Sequence, residues 1–194
     1  MPVSAANVMV GAADQKTTGA ILNHDVGQKR PMNALDNLSG YKDSGYISPD
    51  GLTLTPEYNT TDITEWNGAL VRRILESFNG TLSWAHLETD AESLRTWAGD
   101  VNVEETTEEV GKTIVAALGA HEHPHRTWAF RIKDGERRIL IWVPDGQVTD
   151  AGEVTFTKSG AITWPVTLST YPDEKGNCIY IILTDGKTTT AIGG

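Results

Sequence analysis

Residues 45–88 read GYISPDGLTLTPEYNTTDITEWNGALVRRILESFNGTLSWAHLE, the pattern of two β-strands that enclose a polar segment. Near the end of this stretch, Leu82 and Trp84 alternate with small polar residues, as in a strand with one buried face. Before them, Asn79-Gly80 predicts a type I′ hairpin turn, because both central positions of that turn need a positive φ. The polar segment, about residues 50–65, is longer than an ordinary hairpin connection and is predicted to be a loop.

One helix is predicted directly after this stretch, at about residues 89–98. Thr89 is a suitable N-cap, and Glu92 three residues later completes a capping box. Gly99 provides a left-handed stop. The apolar residues of the helix share one face: Ala91, Leu94, Trp97 and Ala98.

The next segment, Thr106–Leu118, leaves two alternatives open. Apolar residues recur at every fourth position from Val110, which indicates a second helix. Gly111 disfavours a helix, and the alternative is a strand from Lys112 to Leu118.

From Arg126 onward the sequence predicts antiparallel β-structure. Trp128 and Phe130 alternate with other residues up to a turn at Asp134-Gly135. Pro165 implies that its strand lies at a sheet edge or contains a bulge. Frequent short turns of this kind are typical of antiparallel sandwiches and barrels. The later predicted strands are Arg137–Val143, Val154–Lys158, Ala161–Tyr171 and Cys178–Thr184, with further turns at Asp145-Gly146 and Ser159-Gly160.

The composition favours a water-soluble protein. The formal net charge of −10 and the pI near 4.9 argue against a broad surface that grips nucleic-acid phosphates. Cys178 is the only cysteine, so no intrachain disulfide can form, and its apolar surroundings predict a buried structural thiol. The N-terminus lacks the basic start and long apolar block of a signal peptide, and no apolar run reaches membrane-spanning length.

Three histidines form the only metal-like cluster of the sequence: His121, His123 and His125. Alternate histidines on a strand project to one side, as two imidazole ligands of a metal would. Pro124 interrupts such a strand and no cysteine lies nearby, so exposed loop histidines are the favoured interpretation. The sequence contains no recognisable nucleophile motif or phosphate-binding glycine loop. It therefore predicts no enzyme activity, no cofactor and no metal site.

Charge is distributed unevenly along the chain. Glu88–Glu109 contains eight acidic residues and one basic residue, whereas Arg126–Arg138 contains five basic residues and two acidic ones. The two clusters are either solvated faces or the two sides of a seam between subunits, since opposite charges steer and register assembly. The candidate seam residues are Glu104, Glu105, Glu108, Arg131, Arg137 and Arg138.

The six tryptophans fall into two groups. Trp66 follows the polar segment, where it either anchors the base of a loop or packs on a neighbouring subunit, and anchoring is the favoured interpretation. The other five occupy inward-facing positions of predicted elements, so core packing accounts for them. They are Trp84, Trp97, Trp128, Trp142 and Trp164.

The order of features within residues 45–88 identifies a family. An aromatic-Ile step leads into Asp50-Gly51, the polar run Pro56–Thr64 precedes Trp66-Asn67-Gly68, and an arginine pair comes before a strand that ends at Leu87-Glu88. In this order the features resemble the N-terminal core of the major tail tube proteins of long-tailed, non-contractile bacteriophages. The resemblance is best from about residue 35 to residue 99, and it continues through TWPVTLSTYPDEKGNCIYI, residues 163–181.

The resemblance implies a mainly β fold: a two-sheet antiparallel β-sandwich or partial barrel with one flanking α-helix and extended arms. Residues 1–30 would be an N-terminal arm, 31–184 the tail tube domain, and 185–194 a C-terminal arm. The small, polar composition of residues 1–30 leaves a frayed terminus without a role as the alternative. The polar loop would stack one ring on the next. The residues that this role implies are Asp50, Gly51, Thr53, Tyr58, Thr61, Glu65 and Trp66.

The resemblance also implies a structural function. Six subunits would form a ring, and stacked rings would form the tail tube, the conduit for genomic DNA. The partners would be further copies of the chain, the tape measure protein, and tail tip and terminator proteins. Double-stranded DNA would pass through the lumen without specific binding. The protein would belong to the virion tail, be assembled in the host bacterial cytoplasm, and involve no membrane.

Two other functions stay open at this point. A head–tail connector or another virion ring protein, including the tube of a contractile injection system, would share much of this sequence pattern. A small metal-dependent enzyme that uses the three clustered histidines is the alternative from a different class.

Overall fold

The computed structural model describes residues 8–14 and 19–186, which form antiparallel β-structure with one α-helix. In chain order the elements are β1 (Ala12–Ala13), β2 (Ile21–Asp25), β3 (Lys42–Asp43), β4 (Thr53–Thr64), β5 (Leu70–His86), α1 (Ala91–Ala98), a 3₁₀ turn (Asp100–Asn102), β6 (Val103–Glu108), β7 (Gly111–Ala116), β8 (Arg126–Asp134), β9 (Arg137–Ala151), β10 (Trp164–Tyr171) and β11 (Tyr180–Thr184).

Nine strands form one antiparallel sheet. Its order is β3-β2-β8-β9-β10-β5-β4, with β1 beside β8 and β11 beside β9. The 15-residue strand β9 has two partners on one side, because its first half pairs with β11 and its second half pairs with β10. Strands β6 and β7 form a separate two-stranded sheet.

The core lies between two layers of this folded sheet. Side chains of β2, β8 and β9 pack against those of β5 and β10 in one cluster, and the opposite face of the first layer carries a second cluster around Leu140 and Trp142. The helix packs on a third cluster, through Leu94 and Ala98 against Trp164. This arrangement confirms the predicted mainly β sandwich with one flanking helix. The main cluster contains Ile21, Leu82, Trp84, Trp128, Phe130, Ile141, Val143, Val148, Val166 and Leu168.

The chain enters the sheet earlier than the predicted boundary at residue 31. Ile21–Asp25, which lies within the predicted arm, forms β2, in which Ile21 and Leu22 are buried. Five residues are too few to display a clear alternation in the sequence, which explains the difference. The other parts of the predicted arms fall partly outside the described residues.

The predicted turns at Asn79-Gly80 and Asp145-Gly146 are wrong, because β5 and β9 run straight through them. A Cβ on Gly80 would lie 2.6 Å from Ile179 Cδ1, and one on Gly146 would lie 3.1 Å from Trp128 Cδ1. Both glycines therefore allow close approach within a sheet rather than a positive φ. The predicted turn at Asp134-Gly135, between β8 and β9, is confirmed.

The helix is confirmed with a different N-cap. Asp90 caps it, since its Oδ1 accepts a hydrogen bond from Ser93 N at 2.8 Å. The Thr89 hydroxyl instead accepts a hydrogen bond from Trp164 Nε1 at 3.1 Å. Gly99, with a φ of 97°, ends the helix as predicted.

The second predicted helix is wrong, and its strand alternative is correct. Residues 103–116 form the β6–β7 hairpin, with Gly111 at its turn in a positive-φ conformation of 108°. Val110 and Leu118, which would have lain on the apolar face of a helix, are both exposed. Only Ile114 of that face packs on the third cluster, and it does so from β7 rather than from a helix.

The remaining predictions for the C-terminal half are mixed. The predicted strand Val154–Lys158 is not formed. Pro165 does not mark an edge strand, because β10 lies between β5 and β9, but the β9–β10 pairing shifts register between Thr167 and Leu168, which is the bulge alternative. Cys178 is buried, as predicted. No helix within the described ranges is long and apolar enough to cross a membrane.

Candidate functional site

The outer part of the β4–β5 hairpin extends beyond the sandwich. Strand β5 pairs with β10 only as far as Thr81, and from Gly80 to Leu70 it pairs with β4 alone. Nearly every residue from 57 to 79 is exposed, and the others are half-buried. We call residues 57–79 the arm.

The arm joins the sandwich at Gly80. This glycine is buried between a side chain near the end of β10 and one directly before β11. A Cβ on Gly80 would lie 2.6 Å from Ile179 Cδ1 and 2.8 Å from Thr170 Oγ1, and Thr170 Oγ1 donates a hydrogen bond to Gly80 O at 2.9 Å. Farther out, the pairing shifts register after Asn59 and after Ile63, and each time β5 supplies the extra residue. Such bulges increase the local twist of a two-stranded ribbon.

Large apolar side chains are exposed at seven positions of the arm. Tyr58 and Phe78 are cross-strand partners with ring centroids 5.0 Å apart, and Trp66 at the tip is 100% exposed. An isolated two-stranded ribbon is marginally stable in water, so this many exposed large apolar side chains on one ribbon favour contact with a further surface. The large exposed apolar residues of the arm are Tyr58, Ile63, Trp66, Leu70, Val71, Ile74 and Leu75.

Polar contacts hold the arm in register. Arg73 donates from Nε and Nη2 to the two Asp62 carboxylate oxygens at 2.7 and 3.0 Å, and this contact lowers the pKa of Asp62. Asn59 donates to Ser77 Oγ at 3.0 Å. At the tip, Glu65 N donates to Ala69 O at 2.9 Å, which closes the turn. The arm is thus a formed ribbon with unpaired apolar surface.

The predicted stacking residues fall at two places in this hairpin. The segment is a strand and not the predicted loop, because Thr53, Tyr58 and Thr61 all belong to β4. Asp50 and Gly51 lie at the base of the hairpin, and Glu65 and Trp66 lie at the tip. The favoured interpretation of Trp66 as a loop anchor is wrong, since its side chain contacts no core.

The candidate acidic seam residues lie on the second hairpin. Glu104, Glu105 and Glu108 are exposed on β6, where Glu105 forms an ion pair with Lys112 of 2.9 Å. Asp100, in the turn before β6, forms an ion pair with Arg126 inside the same chain.

The candidate basic seam residues lie on β8 and β9, and two have partners within the chain. Arg131 Nη2 donates to Asp36 O at 3.1 Å, and Arg138 Nε lies 2.8 Å from Asp14 Oδ2. Arg137 is half-buried. Contact between these basic residues and the acidic residues of β6 on another subunit stays a prediction.

The three histidines do not converge. His121 is exposed, His123 is half-buried with its pKa lowered by that burial, and His125 Nδ1 lies 2.7 Å from Asp145 Oδ1. The His125 ring also lies 4.7 Å from the ring of Tyr171. No group of three or more His, Cys, Asp or Glu side chains in the described part of the chain could hold a metal ion.

Sequence reasoning missed one buried titratable residue, His86. It is fully buried, and burial lowers its pKa to about 4. Its position was readable in principle, because it continues the alternation of Leu82 and Trp84 on the core side of β5. Its role is structural, since it lies inside the sandwich.

Comparison with known proteins gives one match over most of the chain. A family model described as "Phage tail tube protein" matches residues 4–192. A search of curated proteins finds no match.

Two solved structures are similar to the chain at low identity. A chain of the virion of a native gene transfer agent particle is 12% identical, with a TM-score of 0.39, over 74% of this chain and 88% of that chain. A chain of the anti-feeding prophage cap, which terminates the tube, is 10% identical, with a TM-score of 0.44, over 93% of this chain and 98% of that chain. Similarity at this level carries no argument about function.

Proposed function

The chain belongs to the phage tail tube protein family, and from this membership we propose that it is the subunit of stacked hexameric rings that form the tube of a phage tail. The protein is a structural component of the tail. The tube would be the conduit through which genomic DNA leaves the virion. Further copies of the same chain would be its main partners, with a tape measure protein inside the tube and tail tip and terminator proteins at its ends.

The exposed apolar arm is the observation that carries this proposal. Seven large apolar side chains lie exposed on one two-stranded ribbon, and its outer edges have no strand partner within the described residues. In a free monomer this surface contributes no packing energy. Unpaired strand edges and exposed apolar side chains favour association with another chain. Contact with a neighbouring subunit would cover both. The arm would thereby join subunits within a ring or between rings.

The net charge supports a conduit role. A net charge of −10 would disfavour adhesion of the chain to the phosphates of double-stranded DNA, so that DNA could slide past it. Assembly from soluble subunits would take place in the host cytoplasm.

Electron microscopy of the purified full chain, over a series of concentrations, tests the proposal. Stacked rings with six-fold symmetry would support the tube, whereas single rings that never stack would favour a head–tail connector. A matched variant replaces residues 60–76 by Asn-Gly, so that the paired residues Asn59 and Ser77 flank a two-residue turn. We expect this variant to stay folded and monomeric. Tubes of normal length from the shortened variant would contradict the role of the arm.

A further inference from the structure

Two identical Asn-Gly dipeptides lie at the two ends of the arm, Asn67-Gly68 at its tip and Asn79-Gly80 at its junction with the sandwich. In such a dipeptide the backbone nitrogen of the glycine can attack the side-chain amide of the asparagine, because glycine has no Cβ to obstruct the approach. The attack requires the backbone between the two residues to change conformation. The local structure therefore decides which of the two asparagines reacts.

The Asn67-Gly68 dipeptide lies in the exposed turn of the tip. Gly68 N donates to Glu65 O at 2.8 Å, and Gly68 has a positive φ of 87°, as in a three-residue hairpin loop. Asn67 is exposed, and its Nδ2 donates a long hydrogen bond of 3.4 Å to Glu65 Oε2. The bond from Gly68 N has to open before this nitrogen can react. Opening costs little free energy, because the turn ends a two-stranded ribbon whose neighbouring residues are exposed on both strands.

The Asn79-Gly80 dipeptide lies within the continuous strand β5. Asn79 pairs with Glu57 of β4, and Gly80 is buried, with a hydrogen bond from Thr170 Oγ1 to its carbonyl oxygen. Ile179 Cδ1 lies only 2.6 Å from the position of a Cβ on Gly80, so this backbone is closely packed. A change of conformation here would separate β5 from β4 and from the end of β10. It would therefore need the sandwich itself to open.

We propose that Asn67 is a site of spontaneous deamidation, and that this reaction limits the time for which a free subunit keeps an intact arm. The Gly68 nitrogen loses its proton to water and attacks Asn67 Cγ. A bond forms between these two atoms, the Cγ–Nδ2 bond breaks, and Nδ2 leaves as ammonia after it takes up a proton from water. Water then opens the resulting five-membered succinimide at either carbonyl, which yields aspartate or isoaspartate. The net reaction consumes one water molecule and releases one ammonia, without an oxidant, a reductant or an enzyme.

The product changes the charge of the tip and, in the isoaspartate form, the length of its backbone. The amide that donates to Glu65 is replaced by a second carboxylate, which repels the first one. Trp66 lies between these two positions and is 100% exposed, so its orientation depends on this turn. This consequence rests on the proposed self-assembly, in which the arm contacts another copy. Assembly would cover the tip and slow the reaction, so subunits that assemble promptly would keep the arm intact.

Peptide mass spectrometry of the full chain, incubated at neutral and at mildly alkaline pH, tests the chemistry. We expect amide loss at Asn67 to be at least about tenfold faster than at Asn79 in the folded chain, and the two rates to become similar in denaturant, where the local sequence sets both. Both products should appear at position 67, and the rate should rise with pH, because the attacking nitrogen is deprotonated. Similar rates in the folded chain, or an Asn67 amide that persists while the denatured chain reacts, would overturn the inference.

An Asn67→Ser variant, which has no side-chain amide, connects the chemistry to assembly. Wild type that is aged as a monomer should need a concentration at least about tenfold higher for assembly than fresh wild type, whereas aged and fresh Asn67→Ser should assemble alike. Aged wild type that assembles like the fresh protein would refute the role of this site in assembly and leave the tail tube proposal standing. A chain that forms no oligomer at any concentration would refute the proposed function, while amide loss measured on the monomer would still decide the chemistry.

Discussion

The Trp84 Nε1 donates a hydrogen bond to His86 Nε2 at 3.0 Å, so two residues on the same face of β5 form a polar pair inside the sandwich. The second ring nitrogen of His86, Nδ1, lies 3.3 Å from Ser44 O. Nε2 can accept only when it carries no proton, so this geometry requires the neutral tautomer with hydrogen on Nδ1. A second proton would remove the acceptor and place a charge in the core.

The protein should therefore lose stability as the pH falls from about 6.5 to about 4. His86 has a pKa of about 4 in the folded state, below its ordinary value of 6.5, so the unfolded chain binds the proton first. The contribution is complete above pH 6.5 and is lost as the pH falls through this window. The full shift corresponds to about 3 kcal/mol in the free energy of unfolding. Denaturant unfolding at a series of pH values measures it, and His86→Gln should flatten the slope. An unchanged slope in that variant would assign the effect to other groups.

Trp66→Ala should impair assembly without loss of monomer stability. The side chain is fully exposed, so its removal should change the free energy of unfolding by no more than about 0.5 kcal/mol. If the tip is a dominant contact, the concentration needed for assembly should rise by about 30-fold, which corresponds to about 2 kcal/mol. Light scattering measures this concentration. Phe156→Ala, another exposed aromatic outside the arm, is the control and should assemble like the wild type.

Gly80→Ala should destabilise the monomer by about 1–3 kcal/mol, because the new Cβ would lie 2.6 Å from Ile179 Cδ1. In an Ile179→Ala background the same substitution should cost less, since the crowding atom is gone. A double-mutant cycle of unfolding free energies measures this coupling. Equal costs in the two backgrounds would contradict the crowding explanation.

Arg137→Glu should slow assembly if the acidic β6–β7 hairpin meets the basic β8–β9 hairpin across a seam. Raised salt should slow wild-type assembly as well, because exposed charges are screened beyond about 8 Å at physiological ionic strength. Time-resolved light scattering gives both rates. Glu153→Arg, an exposed charge outside both hairpins, is the control variant. If neither change alters the rate, the charged segments are solvated faces.

Replacement of His121, His123 and His125 by alanine should change the free energy of unfolding by about 0.5 kcal/mol or less for each residue. A metal site would make the wild type sensitive to chelators and the triple variant insensitive. Thermal unfolding with and without a chelator distinguishes the two cases. We expect no dependence on the chelator, and a large drop confined to the wild type would restore the metal hypothesis.

The strands that could be predicted are those whose burial repeats every second residue. Leu82 and Trp84 are two residues apart and share the core face of their strand, and so do Trp128 and Phe130, so the sequence alone identifies that face. The turns predicted from Asn79-Gly80 and Asp145-Gly146 are not formed. A glycine permits a positive φ, but it also permits a neighbouring chain segment to pack closely against the backbone. At Gly80 and Gly146 the second property is used, and this depends on neighbours that are distant in the sequence.

The arm could not be predicted as a strand for a related reason. Polar Thr and Asn residues dominate its β4 half, and its apolar residues have no core in the described chain to alternate against. A tryptophan that follows a polar run is usually interpreted as the anchor of a loop on the core of the same chain. Trp66 would find its partner on another subunit, and a single sequence does not encode that contact locally.

The junction at Gly80 has a mechanical consequence. Strand β5 passes from the core into the arm without a break, so the arm is a lever and not a tether. The ten residue-to-residue steps from Gly80 to Leu70, at about 3.3 Å each, place the end of β5 about 33 Å from its pivot. A rotation of about 5° at the pivot would then move Trp66 by about 3 Å, roughly the length of one residue. Small changes in packing around Ile179 and Thr170 would therefore move the tip of the arm by several ångströms, and in the proposed tube such a movement would change the spacing of neighbouring subunits.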